Sequence, residues 1–317
     1  MKTVAGHKLC CPLCKTKLSA NKLFLSCLKC GCSWDNAKGI KSVPSLFPYD
    51  SDLVLANNLD NMGSFHIEEG KKLVQKLNTF KNKIIGVNSQ TVKNYSYLSS
   101  TLKHGSSILI IGGGTRGSGS KQFFKSCSQK NAKIDFLDVY RTSSVTIIAD
   151  AHYLPFEGET FDLVIIQAVL EHVLDPSKVV SEILRVLKFN GTVYSEIPFL
   201  QAVHEGAYDH QRFTYTGHRW LFRNFLHEKS GVHHGFMSAI LGLLSSFIGE
   251  IFSCRFLGII LRMIFSRVFK LIDRLIPSKV HHDFSSGTYF IGRKKLNMKP
   301  ETGLNIIGSY KGAQIER

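Results

Sequence analysis

At 317 residues the chain has room for one full α/β domain and a small appendage rather than several large domains. An apolar content of 44% against 20% charged residues permits a packed core and excludes wholesale disorder. The formal net charge of +16 is large, and nucleic acid, an anionic membrane or an acidic substrate would each account for it.

No long apolar run opens the chain, which predicts a cytoplasmic protein without a secretory signal. Residues 1–41 hold eight lysines and one acid, Asp35. Five of the eight cysteines crowd between Cys10 and Cys30, four of them in Cys11-Pro-Leu-Cys14 and Cys27-Leu-Lys-Cys30. That crowding suits a metal site in a reducing compartment better than a disulfide framework. Four thiolates on two short knuckles match a tetrahedral structural Zn²⁺, which supplies folding energy that about forty residues cannot find in a core. The predicted ligands are Cys11, Cys14, Cys27 and Cys30, with Cys10 and Cys32 as spectators. Together with Gly39-Ile40 and Val43-Pro44, the stretch resembles zinc-ribbon modules that activate or precede methyltransferases. It is expected to form a module over residues 1–47 that positions a substrate or partner. A closed Cys₄ site does no chemistry.

Residues 48–104 read as a linker with N-terminal helices. Residues 48–65 are polar and irregular, His66 to Leu77 has helical spacing, and Tyr95 to Leu102 suits a second short helix.

Ile108 to Ile111 read as a fully buried strand, broken by glycines that fit G-x-G-x-x-G: Gly112, Gly114 and Gly117. A helix-compatible run, Ser120 to Lys130, follows. A strand, a tight turn and a helix with its N-terminus toward a ligand is the layout implied, although the glycine pattern alone is a weak signal. The alternation continues through Ile134 to Val139, carrying Asp138, and Val145 to Ala149, closing on Asp150. Phe161 to Gln167 is the fourth strand, Ser177 to Leu187 a helix, and Thr192 to Ile197 the fifth strand, after an Asn190-Gly191 turn. The spacing predicts an α/β fold, a doubly wound Rossmann-like sheet over residues 105–235.

Four segments carry a more specific resemblance: Ala149-Asp-Ala-His-Tyr-Leu-Pro-Phe156, Thr160-Phe-Asp-Leu-Val164, Leu170-Glu-His-Val-Leu-Asp-Pro176 and Leu184-Arg-Val-Leu-Lys-Phe-Asn-Gly191. In order and spacing they resemble class I S-adenosylmethionine-dependent methyltransferases over about residues 105–200. The resemblance implies the cofactor and its ligands. Gly112, Gly114 and Gly117 would let backbone approach its amino-acid part, Asp138 would accept from the ribose hydroxyls, and Asp150 with Ala151 would meet the adenine. Gln167 would face cofactor and substrate. His172 would be structural or close to the cofactor. One position departs from the family, because an acid commonly stands two residues before the first glycine and this chain has Ile110.

Beyond the fifth strand lies a polar cluster, Pro198-Phe-Leu-Gln-Ala-Val-His204-Glu205 and Tyr208-Asp209-His210-Gln211-Arg212-Phe213. Methyl transfer is an in-line displacement, so alignment is the main task, and a hydroxyl acceptor also needs a base. His204 and His210 are the expected bases, Asp209 or Glu205 the orienting carboxylate, and Arg212 a ligand for an acidic group. A hydrogen-bonded polar loop and a His/Asp/Glu metal site are the competing readings of this cluster.

Gly217 to Leu226 reads as an amphipathic helix. Residues 236–276 form an insertion dominated by Leu, Ile and Phe, too short in its uncharged part to span a bilayer. Within it Arg255, Arg262, Arg267, Lys270 and Arg274 share roughly 140° of a helical face. That pattern fits a helix on an anionic membrane surface, or equally a lid or dimer surface with a solvated basic edge. Residues 277–295 hold the last core strand (Phe284 to Lys294), and 296–317 a loose polar tail.

The leading reading is a methyltransferase that O-methylates a sugar or glycan-linked metabolite, with S-adenosylmethionine as cofactor and structural zinc. The His204 to Phe222 stretch is similar to bacterial surface-polysaccharide methyltransferases, and a lipid-linked product would place the enzyme peripherally at the inner membrane face. Two alternatives stand beside it. The lysine-rich ribbon also resembles ribosomal-RNA guanine methyltransferases, whose partner is RNA, and Ile110 suits a scaffold without turnover.

Overall fold

The computed structural model describes residues 3–4, 7–20, 24–35, 46, 88–114, 117, 119–140, 142–233 and 235–314. The expected helix His66 to Leu77 and the linker 48–65 lie outside the described residues.

The N-terminal segment is built from short antiparallel pieces. Strands β1 (Thr3–Val4) and β2 (His7–Lys8) pair, and β3 (Ser19–Ala20), β4 (Phe24–Ser26) and β5 (Ser33–Asp35) form a three-stranded sheet. This ribbon is docked rather than tethered. Leu9, Leu25 and Trp34 belong to the same buried cluster as the main sheet. Cys10 N–H donates to the Pro155 carbonyl at 3.0 Å, and Lys15 pairs with Glu182 at 2.7 Å. His7 Nδ1 meets the fully buried Asp135 carboxylate at 2.5 Å.

The main sheet comprises β6 (Ser107–Ile111), β7 (Lys133–Asp138), β8 (Ile147–Ile148), β9 (Phe161–Gln167), β10 (Leu187–Pro198), β11 (Leu226–Val232) and β12 (Gly287–Arg293). Their order is β11-β12-β10-β9-β6-β7-β8, with β12 antiparallel to both neighbours and the other pairs parallel. Covered on both faces, β9 reads as a nearly unbroken apolar run. Alternate residues of β6 then enter opposite cores. Ile108 packs with Tyr95, Phe123 and Leu163, whereas Leu109 and Ile111 pack with Val164, Ile166 and Val179. The first core lies under α1 (Ser89–Thr101) and α2 (Lys121–Gln129); the second lies under α3 (Pro176–Val186) and the ribbon.

Local chemistry sets the boundaries. Helix α3 starts at Pro176, where Asp175 caps it by accepting from Lys178 N–H at 3.0 Å. Helix α1 begins at Ser89, six residues before the expected Tyr95, because Asn88 caps it through Gln90 N–H. Strand β8 is shorter than the expected Val145 to Ala149. The Thr146 hydroxyl accepts from Phe136 N–H at 2.9 Å, so a side chain occupies that rung of the ladder.

After β10 the chain departs further from expectation. The amphipathic helix is only α4 (Tyr215–Leu221), and Leu226 begins the edge strand β11. The insertion is a helical hairpin of α5 (Phe236–Ile251) and α6 (Arg255–Asp273). Asp273 closes the hairpin by accepting from Met237 N–H at 2.9 Å and Ser238 N–H at 3.1 Å, at the N-terminus of α5. Helix α7 (Ser278–Phe284) precedes β12, which therefore starts at Gly287 rather than Phe284. The expected loose tail contains α8 (Gly303–Gly308), anchored by buried Ile306 and by Glu301 on the Arg219 guanidinium.

Candidate active site

The site lies past the carboxyl ends of β6 and β9, where the strand order reverses and where such sheets bind ligands. A cavity of about 320 Å³ opens there, lined by Ile110, Gly112, Gly117, Gln167, Glu196 and His233 among others. Gly112 turns the chain with φ +74°, and a Cβ on it would lie 2.3 Å from Val169 Cγ2. A Cβ on Gly114 would lie 2.6 Å from Asp138 Oδ2. Only glycine allows both approaches, so the turn is a bare-backbone cradle that fits the amino-acid part of S-adenosylmethionine.

Asp138 stands where β7 ends. Its Oδ2 accepts from Gly114 N–H at 2.7 Å and its Oδ1 from Tyr140 N–H at 3.1 Å. Burial pushes its carboxyl above the usual range, and those N–H donors pull it back. Asp150 and Ala151 are both buried one strand further out. Asp150 Oδ1 accepts from His152 N–H at 2.9 Å and meets His152 Nδ1 at 2.6 Å.

The sequence reading missed the polar wall of the cavity. Gln167, expected to face cofactor and substrate, lines the cavity and donates through Nε2 to Glu196 Oε2 at 2.6 Å, while Tyr95 donates to its Oε1. Thr91 donates to Glu196 Oε1 at 3.1 Å, and Tyr194 donates to the same oxygen. His233 Nε2 lies 3.1 Å from the Thr288 carbonyl and 3.6 Å from Glu196 Oε1. A carbonyl only accepts, so Nε2 carries the proton and Nδ1 accepts from Asn88 at 2.9 Å. Glu196 was visible as an acid in a buried strand. His233, at the exit of an edge strand with no apolar alternation, gave no signal.

A second polar cluster joins the 3₁₀ turn Leu170–His172 to the loop after β10. Glu171 is fully buried, yet among the described residues neither carboxylate oxygen has a hydrogen-bond partner. Its Oε1 lies 3.6 Å from His172 Nε2 and 3.7 Å from His204 Nε2. His204 is held from the other side by Asp209, which accepts from His204 N–H at 2.9 Å and lies 3.3 Å from Nδ1. The Glu171 carboxylate beside it, aided by the charge of Asp209 and opposed by burial, raises the His204 imidazole above its ordinary value. Burial pushes Asp209 up, but the Arg212 guanidinium and the His204 amide outweigh it and hold the carboxyl at about 2.

The structure thus brings His204 and Asp209 together and adds Glu171, which the sequence reading left without a role. It leaves the other expected base apart. The His210 side chain is exposed, and its N–H donates to the Glu171 carbonyl at 2.8 Å. Both arms of the Arg212 fork go to Asp209. Two non-glycine residues of the region have left-handed backbone, Ala168 (φ +50°) after β9 and Glu205 (φ +62°) in the loop. Strain of this kind collects where surrounding structure fixes a site.

At the ribbon, the sulfurs of Cys11, Cys14, Cys27 and Cys30 lie within 4.8 Å of one another. Cys11–Cys30 is 3.6 Å, Cys14–Cys27 3.3 Å and Cys14–Cys30 3.9 Å. A tetrahedron with Zn–S bonds of about 2.3 Å has sulfur–sulfur edges of about 3.8 Å, so the donor set fits zinc. Cys10 and Cys32 stand outside the four-sulfur group.

Residues 117–195 match the family model described as a methyltransferase domain. No curated protein matches the chain. Among solved structures, a protein from Galdieria sulphuraria assigned as a sarcosine dimethylglycine methyltransferase is similar at 15% identity, over 65% of this chain and 84% of its own, with a TM-score of 0.42. Phosphoethanolamine N-methyltransferase 2 of Haemonchus contortus, in complex with S-adenosyl-L-methionine, is similar at 17% identity, over 68% of this chain and 56% of its own, at 0.41. An S-adenosylmethionine-dependent methyltransferase of Methanosarcina mazei is similar at 15% identity, over 63% of this chain and 98% of its own, at 0.37. The chain carries a methyltransferase domain on a Rossmann-like sheet.

Proposed function

We propose that this S-adenosylmethionine-dependent methyltransferase O-methylates a sugar or glycan-linked metabolite, with His204 as general base. The observation that carries the reading is the His204 imidazole, set between Glu171 and Asp209 on the loop that leaves β10. That loop leaves the carboxyl end of β10, the same edge of the sheet at which Asp138 ends β7.

When bound, S-adenosylmethionine supplies an electrophilic methyl group for in-line displacement. His204 takes the proton of the acceptor hydroxyl as its oxygen attacks. The buried Glu171 charge favours the imidazolium that results. Asp209 orients the ring through Nδ1 and the backbone N–H, and Arg212 fixes Asp209. Asp138 and the glycine turn hold the cofactor. Glu196 is a carboxylate on the wall of the cavity that Ile110 lines, where the family's usual acid is missing. The similarity of residues 204–222 to polysaccharide methyltransferases supports a sugar acceptor.

A second reading is favoured by the unbonded oxygens of Glu171. Among the described residues, Glu171, His172 and His204 form a three-ligand group suited to a divalent cation. His172 Nδ1 donates to the Tyr208 carbonyl at 2.9 Å, which leaves its Nε2 lone pair toward Glu171.

The test incubates the protein with labelled S-adenosylmethionine and glycan-linked acceptors, with RNA as the competing acceptor. The expected product is an O-methyl sugar, and His204→Ala should lower turnover about 100-fold or more with cofactor affinity unchanged. Methylated RNA with no glycan product would overturn the reading. Activity lost to a chelator and restored by Mn²⁺, at constant zinc content, would give His204 to the cation instead.

A further inference from the structure

The α5–α6 hairpin presents an apolar surface that water does not favour. Along α6 and just past its end, Leu257, Ile264, Val268, Leu271 and Leu275 are all exposed. Steps of seven, four, three and four residues keep them within about 60° of one another around the axis. At the hairpin turn Ile251, Phe252 and Phe256 extend this surface, 59, 65 and 51% exposed. Contiguous apolar surface on this scale marks an interaction face.

The charges beside it decide what that face meets. Arg267, Lys270 and Arg274 run along one edge of the stripe, with Arg267 and Arg274 exposed. The only acid of α6, Asp273, is turned to the N-terminus of α5. A second copy of the chain, itself at +16, would bring like charges together. Among the described residues no helix is long and apolar enough to cross a membrane. An apolar stripe with a basic edge and no span is the pattern of a helix lying in a lipid headgroup layer.

We propose that the α5–α6 hairpin binds the surface of an anionic bilayer. The stripe and the Phe252–Phe256 tip enter the acyl boundary, and Arg267, Lys270 and Arg274 meet lipid phosphates. The inference does not depend on which acceptor is methylated. It places the site beside membrane-linked substrates.

The test is co-sedimentation of the full chain with phosphatidylcholine vesicles, with and without phosphatidylglycerol. Binding should require phosphatidylglycerol and weaken as salt rises. Combined Arg267→Gln, Lys270→Gln and Arg274→Gln should weaken it on the order of 100-fold. Combined Ile264→Gln and Leu271→Gln should also weaken it; both positions are exposed, so the fold is expected to survive. Fluorescence of a Phe252→Trp reporter should shift to the blue on vesicle addition. No binding by the unmodified chain, or equal binding by the variants, would overturn the proposal. So would a homodimer that excludes the reporter from lipid.

Discussion

Glu171 is a carboxylate with no exposed surface, and among the described residues the groups paired with it that could carry positive charge are two imidazoles. The neighbour that raises His204 also limits when that ring can act as a base. A raised imidazole stays protonated to higher pH, and only its neutral form accepts a proton. Turnover should therefore climb with pH along a limb whose midpoint lies above the ordinary histidine value of about 6.5. Glu171→Gln removes the main raising contact while preserving shape. Its pH–rate profile should have that limb at lower pH, so relative activity at pH 6 rises even if the maximum falls. A structural role for Glu171 would scale the whole profile and leave its midpoint in place, and that result would remove His204 as the titrating base.

The ribbon is the element whose role is most open to direct test. Its sulfur cluster sits beside Leu9, Leu25 and Trp34, which are continuous with the core beneath α3. Loss of metal should consequently reach the methyltransferase domain. Purified protein should contain close to one zinc per chain, and Cys27→Ser should remove it and lower Tm by about 5 °C or more. Zinc retained by the variant would take Cys27 out of the ligand set. Other elements differed in how openly the sequence declared them. The β9 run Phe-Asp-Leu-Val-Ile-Ile-Gln is buried on both faces, so composition alone marked it with the right ends. The opposite case is β11, Leu-His-Glu-Lys-Ser-Gly-Val, which has no apolar period because it is a sheet edge. Tertiary contacts hold it: Glu228 receives Arg293 at 2.7 Å, and the Lys229 ammonium lies over the Tyr97 ring, 3.6 Å from its centroid. Missing β11 hid His233, one polar residue of the cavity wall. His204 and Asp209 were legible because polar residues after a strand's carboxyl end have a known use in this architecture. The partnership with Glu171 joins residues 33 positions apart, which spacing along the chain does not encode.

At the scale of the whole molecule, the basic surplus makes acid the condition under which stability should fail first. Every added proton raises a net charge that already stands at +16. His218 makes this specific. It is buried between α4 and the sheet, with Nδ1 2.8 Å from Thr288 Oγ1 and Nε2 2.9 Å from Ser195 Oγ, so it ties α4 to β10 and β12. Burial drives its imidazole down to about 3. Below the ordinary value of about 6.5 the unfolded chain takes up a proton that the folded chain refuses. Stability therefore falls as pH drops through that window, by up to ~1.4 kcal/mol per pH unit for this one group, and the loss ends near the folded value. His227 and His282, also lowered by burial, act in the same direction. Asp209, held at about 2, adds a loss only below the ordinary carboxylate range. Between pH 7 and pH 5 the His218 share of that loss is about 2 kcal/mol, read by urea unfolding at the two pH values, while the raised His204 acts in the opposite direction. His218→Gln should start less stable at pH 7 but lose clearly less on acidification, because it has no proton to refuse. An unchanged slope in that variant would mean that His218 is not the group whose protonation is coupled to unfolding.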